Sequence, residues 1–389
     1  MSRECGDRLQ LLRIFTGILL CLCACGARSE LLTDDGAGGS TSTGVGIPLE
    51  LCREVEYAAC TPVGDAPTVV ARGEVTRPDV AWYPGLGFLV AHDDSDRSRV
   101  EAVTIEGSAV WSAEVGEGRG PRLAVHPTRR RAAIVTDTGY GWVDAAGGVA
   151  YRIDSPFASE RFNGNLAAFD EGFVAALGPV SDPGGNATSV SLHLPLVEGQ
   201  VEEERYHPDK PTPRIDRSLK ADFLLDRIGF ETNTSGGLGL ATFRWEEGLV
   251  LDASAFRGSS TSFVDGFYTE DEDAFFIFGG TVGFAVSQLR PDGTFTDDAV
   301  LVGQELAGFS AERLGDRRGL QDVVLALTGV MPGQTVIVRY MHRDGGPAEP
   351  ILLGRGGEQS RIARYDRGVV VVWVDGDDLL LRAVDCCLD

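Results

Sequence analysis

Beyond residue 86, seven apolar runs recur at near-constant spacing: GFLVA from Gly87, AAIVT from Ala132, GFVAAL from Gly172, IGFE from Ile228, AFFIF from Ala274, VVLAL from Val323 and VVVVW from Val369. Their starts lie 45, 40, 56, 46, 49 and 46 residues apart. A repeat of this period is one supersecondary unit copied along the chain, each copy unable to bury its apolar face alone. The one long interval holds VEEERYHPDKPTPRIDR at 201–217, a polar stretch with three prolines that reads as an insertion loop. A short strand-like segment and a turn precede most runs, as in VAWYPGL from 80, RLAVHP from 122 and RIARYDRG from 361. One or two further segments follow, as in RVEAVTIEG and AVWSAEV after GFLVA. Short runs of Val, Ile, Phe and Leu punctuated by Gly, Asp and Pro are strands, and almost no helical period exists beyond residue 66.

Four short strands per unit, repeated seven times, resemble the seven-bladed β-propeller in period and strand order. The expectation is an all-β domain over 66–389, with six or eight blades as the nearest rivals and a two-domain β-sandwich behind them. Each apolar run should be the second strand of its blade, buried on both faces. The last unit offers only three strands, RIARY, VVVVW and DLLLRAV, while TVVARGEV at 68–75 is spare. The spare strand is therefore expected beside Leu379–Val384, covering an edge that would otherwise invite aggregation.

The first 24 residues have the three parts of an export signal. Arg3, Arg8 and Arg13 give a basic start, diluted by Glu4 and Asp7, and Ile14 to Leu22 is an apolar run shorter than the ~20 residues a membrane span needs. Leu22-Cys23-Ala24-Cys25 then resembles the lipobox of bacterial lipoproteins: Leu at −3, small residues before the cleaved bond, and Cys after it. That resemblance implies a diacylglyceryl thioether on Cys25, cleavage before it and a third acyl chain on the freed amine. Two or three chains hold a protein to a membrane where one does so only marginally. Gly26 is not the aspartate that marks inner-membrane retention in some bacteria, so outer-membrane sorting is expected. Residues 25–47 read as a Gly/Ser/Thr tether, and Cys25-Gly26-Ala27-Arg28-Ser29 followed by such a tether resembles the start of myxobacterial lipoproteins. Residues 48–65 are a cysteine-containing lead-in.

Four cysteines remain besides Cys25: Cys52, Cys60, Cys386 and Cys387. An even number in an exported chain suggests two disulfides, with three pairings open. Adjacent cysteines are too close for a relaxed bridge. If 48–60 is a short helix, Cys52 and Cys60 lie ~12 Å apart, too far to bond. Both points favour bridges from one end of the chain to the other; a local Cys52–Cys60 bond is the alternative if 48–60 is not helical.

No motif carries chemistry. Asp137-Thr138-Gly139-Tyr140-Gly141-Trp142 partly resembles the Asp-box of sialidase-type propellers, which is a structural turn, and Phe278-Gly279-Gly280 resembles a kelch double glycine. Gly116, Gly118 and Gly120 lack the helix that a phosphate loop requires and read as a turn between units. Of five histidines, His92, His126, His193, His207 and His342, the first two fall at corresponding strand ends in neighbouring units, near Asp93 and Asp94; they read as surface-turn residues, and convergence on one face would instead make a metal or acid–base site. Acid clusters at 93–96, 270–273 and 375–378 lack the spacing of a calcium loop and read as solvated turns. No catalytic residue, metal site or cofactor is assigned.

Acidic residues outnumber basic ones 58 to 35, a net charge of −23 that repels nucleic acid and anionic lipid headgroups. The leading reading is therefore a monomeric, membrane-anchored binding or scaffolding module whose partner is an envelope protein or glycan. In outline it resembles the propeller lipoproteins that help assemble outer-membrane proteins. The alternative is a propeller enzyme, a lyase or glycosidase acting on an envelope or extracellular glycan through paired carboxylates.

Overall fold

A computed structural model describes residues 60–152 except 96 and 127, residues 350–386 except 358, and, between 166 and 347, the strands together with residues 196 and 294. Every regular element among them is a strand, so the described part of the chain is all-β. All of these strands belong to one unit, residues 43–389.

The chain enters through two short strands, β1 (Cys60–Pro62) and β2 (Thr68–Arg72). Then come β3 (Val75–Tyr83), β4 (Gly87–Asp94), β5 (Arg97–Val103) and β6 (Ala109–Glu117), paired in that order as one antiparallel sheet. The next sheet is β7 (Arg122–His126), β8 (Arg131–Val135), β9 (Tyr140–Val143) and β10 (Val149–Arg152). It is followed by β11 (Leu166–Phe169), β12 (Gly172–Ser181), β13 (Ala187–Pro195) and β14 (Glu202–Tyr206). The fourth sheet holds β15 (Arg214–Asp222), β16 (Arg227–Thr234), β17 (Gly237–Trp245) and β18 (Leu249–Gly258). The fifth holds β19 (Ser262–Tyr268), β20 (Ala274–Gly280), β21 (Gly283–Leu289) and β22 (Val300–Val302). In the sixth, β23 (Gly308–Arg313), β24 (Asp322–Thr328) and β25 (Gln334–Met341) carry both β26 (Gly346–Pro347) and β27 (Ile351–Arg355) on their outer side. The last sheet is β28 (Ser360–Tyr365), β29 (Gly368–Asp375) and β30 (Asp378–Cys386), completed by β1 and β2, which both pair with β30.

Among the described residues the chain thus makes seven sheets, and each of the seven apolar runs lies in the second strand of its own sheet. Where side chains are described, the reason is period-two burial on both faces. In β29, Val370 and Val372 pack with Val75, Val80 and Phe88 of the first sheet, while Val369, Val371 and Trp373 pack with Ile337 and Leu353 of the sixth. In β4, Phe88 and Val90 face the last sheet, whereas Leu89 and Ala91 face Leu123, Ala132 and Ile134. In β8, Ala133 and Val135 turn the other way, onto Leu166 and Phe173. Full burial of each larger apolar side chain is worth roughly 1.5–3 kcal/mol, so a strand gripped on both faces anchors two interfaces at once. The first strands of successive sheets also lie side by side, from β3 against β7 through to β23 against β28, and β28 lies against β3.

The second strands start tightly. Gly87 has φ +133°, and a Cβ there would overlap the Val103 carbonyl oxygen; Gly368, at the same place in the last sheet, would overlap the Val384 carbonyl. These glycines let the backbone of the neighbouring third strand approach.

Among the described residues the first strand starts at Cys60, inside the 48–65 segment that the sequence sets apart as a lead-in. Thr68 pairs with Leu381 and Arg72 with Asp378, so the spare segment meets its expected partner over 68–72, whereas Val75 pairs with Asp94 and opens the first sheet instead. Upstream, Cys60 pairs with Cys386 and Pro62 with Val384, so a single strand, β30, is covered along its length by two pieces of the N-terminal segment. The backbone N–H of Val63 donates to the Ala383 carbonyl between them, at 2.8 Å. Cys60 and Cys386 are joined by a disulfide across 326 residues of sequence. That bond excludes a local Cys52–Cys60 bridge. Cys25, Cys52 and Cys387 lie outside the described residues.

Candidate functional site

Strands alternate in direction within a sheet, so each sheet has two ends. One end carries the turns from first to second and from third to fourth strand. The other carries the turns from second to third and the connections between sheets. Contacts fix how the ends of neighbouring sheets correspond. The N–H of Leu123, near the start of β7, donates to Asp79 Oδ2 near the start of β3 at 2.8 Å, and the Tyr83 hydroxyl at the end of β3 donates to the Arg130 carbonyl just past the end of β7. Starts meet starts, and ends meet ends.

This geometry corrects the histidine expectation. His92 lies near the end of a second strand and His126 at the end of a first strand, so they stand at opposite ends of their sheets. Both are buried rather than surface-turn residues, each with its own partners. His92 has Nδ1 3.2 Å from the Asp93 carbonyl oxygen and Nε2 3.6 Å from Glu101 Oε1. His126 Nδ1 accepts from the Arg129 N–H at 3.2 Å and its ring stands edge-on to Phe173. His193 lies in β13; His207 and His342 are outside the described residues. Among the described residues no group of three His, Cys, Asp or Glu side chains could hold a metal ion.

At the end where the first strands start, three sheets meet around Arg77. The register of β3 against β4 shifts between Thr76 and Asp79, and Arg77 in that bulge has φ +51°. Its N–H donates to Gln359 Oε1 of the last sheet at 2.6 Å, while its guanidinium lies 3.8 Å from Asp93 Oδ2. Asp93 is 2% exposed, and both its oxygens accept from the Gly120 N–H at 3.0 Å. The Ser98 hydroxyl donates to the Gly118 carbonyl at 2.8 Å and lies 3.2 Å from Asp93 Oδ1. Burial pushes the Asp93 carboxyl above its usual range, against the opposing pull of Gly120, Ser98 and Arg77. Asp79 accepts from Leu123 and has Arg361 Nε at 4.0 Å. The glycine-rich 116–120 segment is thus a connection between sheets, held by a buried carboxylate. Asp93 belongs to the 93–96 acid cluster but is not a solvated turn residue; Asp94 is. The 375–378 cluster forms the β29–β30 turn, and 270–273 lies outside the described residues. The box-like Asp137 accepts from the Arg119 N–H at 2.6 Å and returns its own N–H to the Arg119 carbonyl, so it fastens a turn. The lone pairs of these carboxylates are spent on tying sheets together, which leaves them a structural task.

The opposite end carries a feature that the motif search passes over. Arg129 and Arg130 are exposed and Arg131 half-buried, in the turn from β7 to β8. The turn is pinned from beneath by Tyr83 and His126, and Arg130 holds φ +51°. None of the three guanidiniums pairs with a carboxylate among the described residues. Elsewhere exposed arginines do: Arg72 with Asp378, Arg97 with Glu114 and Arg367 with Asp385. A run of three arginines in so acidic a chain is visible in sequence, but only the structure shows that none of the three pairs with a carboxylate among the described residues and that the turn is held in place.

No family model matches this chain, and no curated protein matches it. Solved structures do. A Dyadobacter fermentans protein of unknown function superposes with a TM-score of 0.50 and 12% identity, covering 84% of this chain and 99% of its own. The hydrazine synthase of Kuenenia stuttgartiensis gives a TM-score of 0.50 and 10% identity, over 80% of this chain and 96% of that one. At such identities the likeness is one of fold alone.

Proposed function

We propose that this chain is an exported lipoprotein, held to a membrane through an acylated Cys25, whose β domain is a seven-bladed propeller acting as a binding or scaffolding module of the cell envelope. The observation that carries the reading is the joining of β1 and β2 to β30, locked by Cys60–Cys386. Disulfides persist in oxidising compartments, which agrees with the export signal and lipobox of residues 1–25. Seven sheets of four or five strands, with each first strand against the next and β28 against β3, favour a closed propeller over an open sandwich. Such a body offers turns at both ends of rigid sheets, the usual arrangement of a binding scaffold. The envelope partner is a protein or a glycan, and the absence of aspartate after Cys25 favours the outer membrane.

Metabolic labelling with a radioactive fatty acid tests the anchor. The native chain should take up label and fractionate with membranes, and Cys25→Ser should abolish both. Label persisting on the Cys25→Ser chain overturns the lipoprotein reading. Cross-linking in intact cells should then trap the native chain on an envelope component that Cys25→Ser fails to reach.

A further inference from the structure

We infer that the Arg129–Arg131 turn is a docking surface for the phosphate headgroups of an anionic lipid surface, and that it seats the domain on the membrane to which the tether ties it. The inference rests on the anchored reading above. Three observations carry it.

The first is placement. β30 is the third strand of its sheet and finishes at the end where first strands finish: Cys386 donates its N–H to the carbonyl of Arg367, in the β28–β29 turn. Cys60, bonded to Cys386, is therefore at that end too. The β7–β8 turn with its three arginines belongs to the same end, because Tyr83 reaches Arg130 from the end of β3. Cys60, the first described residue, thus lies on the arginine-bearing side.

The second is charge. A net −23 repels an anionic membrane as a whole. A domain so charged can approach headgroups only through a locally cationic surface, and this turn holds three neighbouring guanidiniums, none paired with a carboxylate among the described residues. The third is rigidity. Hydrogen bonds from Tyr83 and to His126, both anchored in buried positions, hold the turn, and Arg130 keeps a backbone conformation that costs energy in a non-glycine residue. Guanidinium suits this role because its fork matches phosphate oxygens.

The test uses the full chain with Cys25→Ser, so that lipid anchoring does not mask the contact, against the same chain with Arg129→Gln, Arg130→Gln and Arg131→Gln added. Both are co-sedimented with vesicles of equal parts phosphatidylglycerol and phosphatidylcholine, and with phosphatidylcholine alone. Each cation near an anionic surface adds roughly fivefold to partitioning, so the triple change should lower binding to the anionic vesicles by about 100-fold. High salt should do the same to the parent, and neutral vesicles should show no difference. An Arg97→Gln control, at the opposite end, should bind as the parent does, and matching thermal unfolding of all three chains establishes that they are folded. Equal sedimentation of parent and triple variant overturns the inference, as does an equal loss with Arg97→Gln. Arginine-dependent binding to poly-glutamate without binding to anionic vesicles overturns it as well, in favour of an acidic protein partner. Failure of Cys25 labelling strikes the anchor alone, since the vesicle comparison is made on chains that carry no acyl group.

Discussion

The sheet of β7–β10 and the sheet of β28–β30 are built from the same kind of strand, yet they are completed differently. The first draws all four strands from one continuous stretch, 122–152, with short turns between them. The second has three consecutive strands and borrows its outer edge from residues 60–72, more than three hundred positions away in sequence. Both present a second strand buried on two faces. Local turns hold the register of one, while the other depends on long-range pairing and on a covalent bond. Sheets of equal packing quality can therefore differ sharply in what it takes to undo them.

The largest effect should come from removing the borrowed edge. Deleting 60–72 exposes β30 and part of the cluster of Val370, Val372, Leu379 and Leu381, which packs against the first sheet. Cooperative thermal unfolding should be lost or shifted down by tens of degrees; an unfolding curve matching the parent's would mean the last sheet is self-sufficient like the β7–β10 sheet. Next comes the bridge. Cys60→Ser should cost roughly 4 kcal/mol, because a loop of 326 residues loses its closure constraint in the unfolded chain. Chemical denaturation with and without a dithiol reductant measures this, and the Cys60→Ser chain should lose less stability to the reductant than the parent does.

A comparable core loss should follow from Trp373→Ala, at about 4 kcal/mol, because that ring is fully buried between the last two sheets and its Nε1 donates to the Arg355 carbonyl at 3.3 Å. Gly87→Ala should follow at about 2–3 kcal/mol, for the strand cannot retreat from the Val103 carbonyl without breaking a ladder. A denaturation midpoint unchanged by Gly87→Ala would show that the close approach of β4 and β5 is not required.

The smallest effect is in acid. The raised carboxyl pKa of Asp93 means that the folded state holds its proton more tightly than the unfolded state. This group's contribution is therefore fully present below the unfolded pKa and lost as pH rises through the folded one. Asp93→Asn should remove that part of the pH dependence and change stability at neutral pH by about 1 kcal/mol or less. In the last sheet, burial and the neighbouring Asp385 push the Tyr365 hydroxyl far above the ordinary tyrosine range, so it remains a donor to Asp385 across the whole accessible pH range. Titration of the Tyr365 hydroxyl itself should then add nothing to the acid limb of the stability curve, whereas that of Asp93 should.

Much of this was legible in the chain itself, and the reason is physical. A strand gripped on both faces has no polar side to show, so VVVVW at 369 and GFLVA at 87 stand out as unbroken apolar runs. The spare strand at 68 was readable from the missing fourth strand of the last unit. The start at Cys60 was not, because PLELCREVEYAAC fits a helical pattern and only Cys386 draws its end into a sheet. The histidines misled because sequence spacing does not record strand direction: His92 and His126 look equivalent along the chain and stand at opposite ends of their sheets. The bond from Asp93 to Gly120 spans 27 residues, and that from Arg77 to Gln359 spans 282, so neither leaves a local trace. The arginine turn was hidden for a different reason, since a net charge averages away the place where its sign reverses.

The pairing of β1 with β30 also sets an order of events. Cys60 leaves the ribosome 326 residues before Cys386, which at ordinary elongation rates is on the order of half a minute. Throughout that interval the N-terminal strands have no partner, and the edge they are destined to cover does not yet exist. Six sheets can assemble from neighbouring residues as they emerge; the seventh waits for the last. If the chain is exported, as proposed above, that waiting period is spent in transit, and this sheet can be completed only after translocation has delivered both halves to the same side of the membrane.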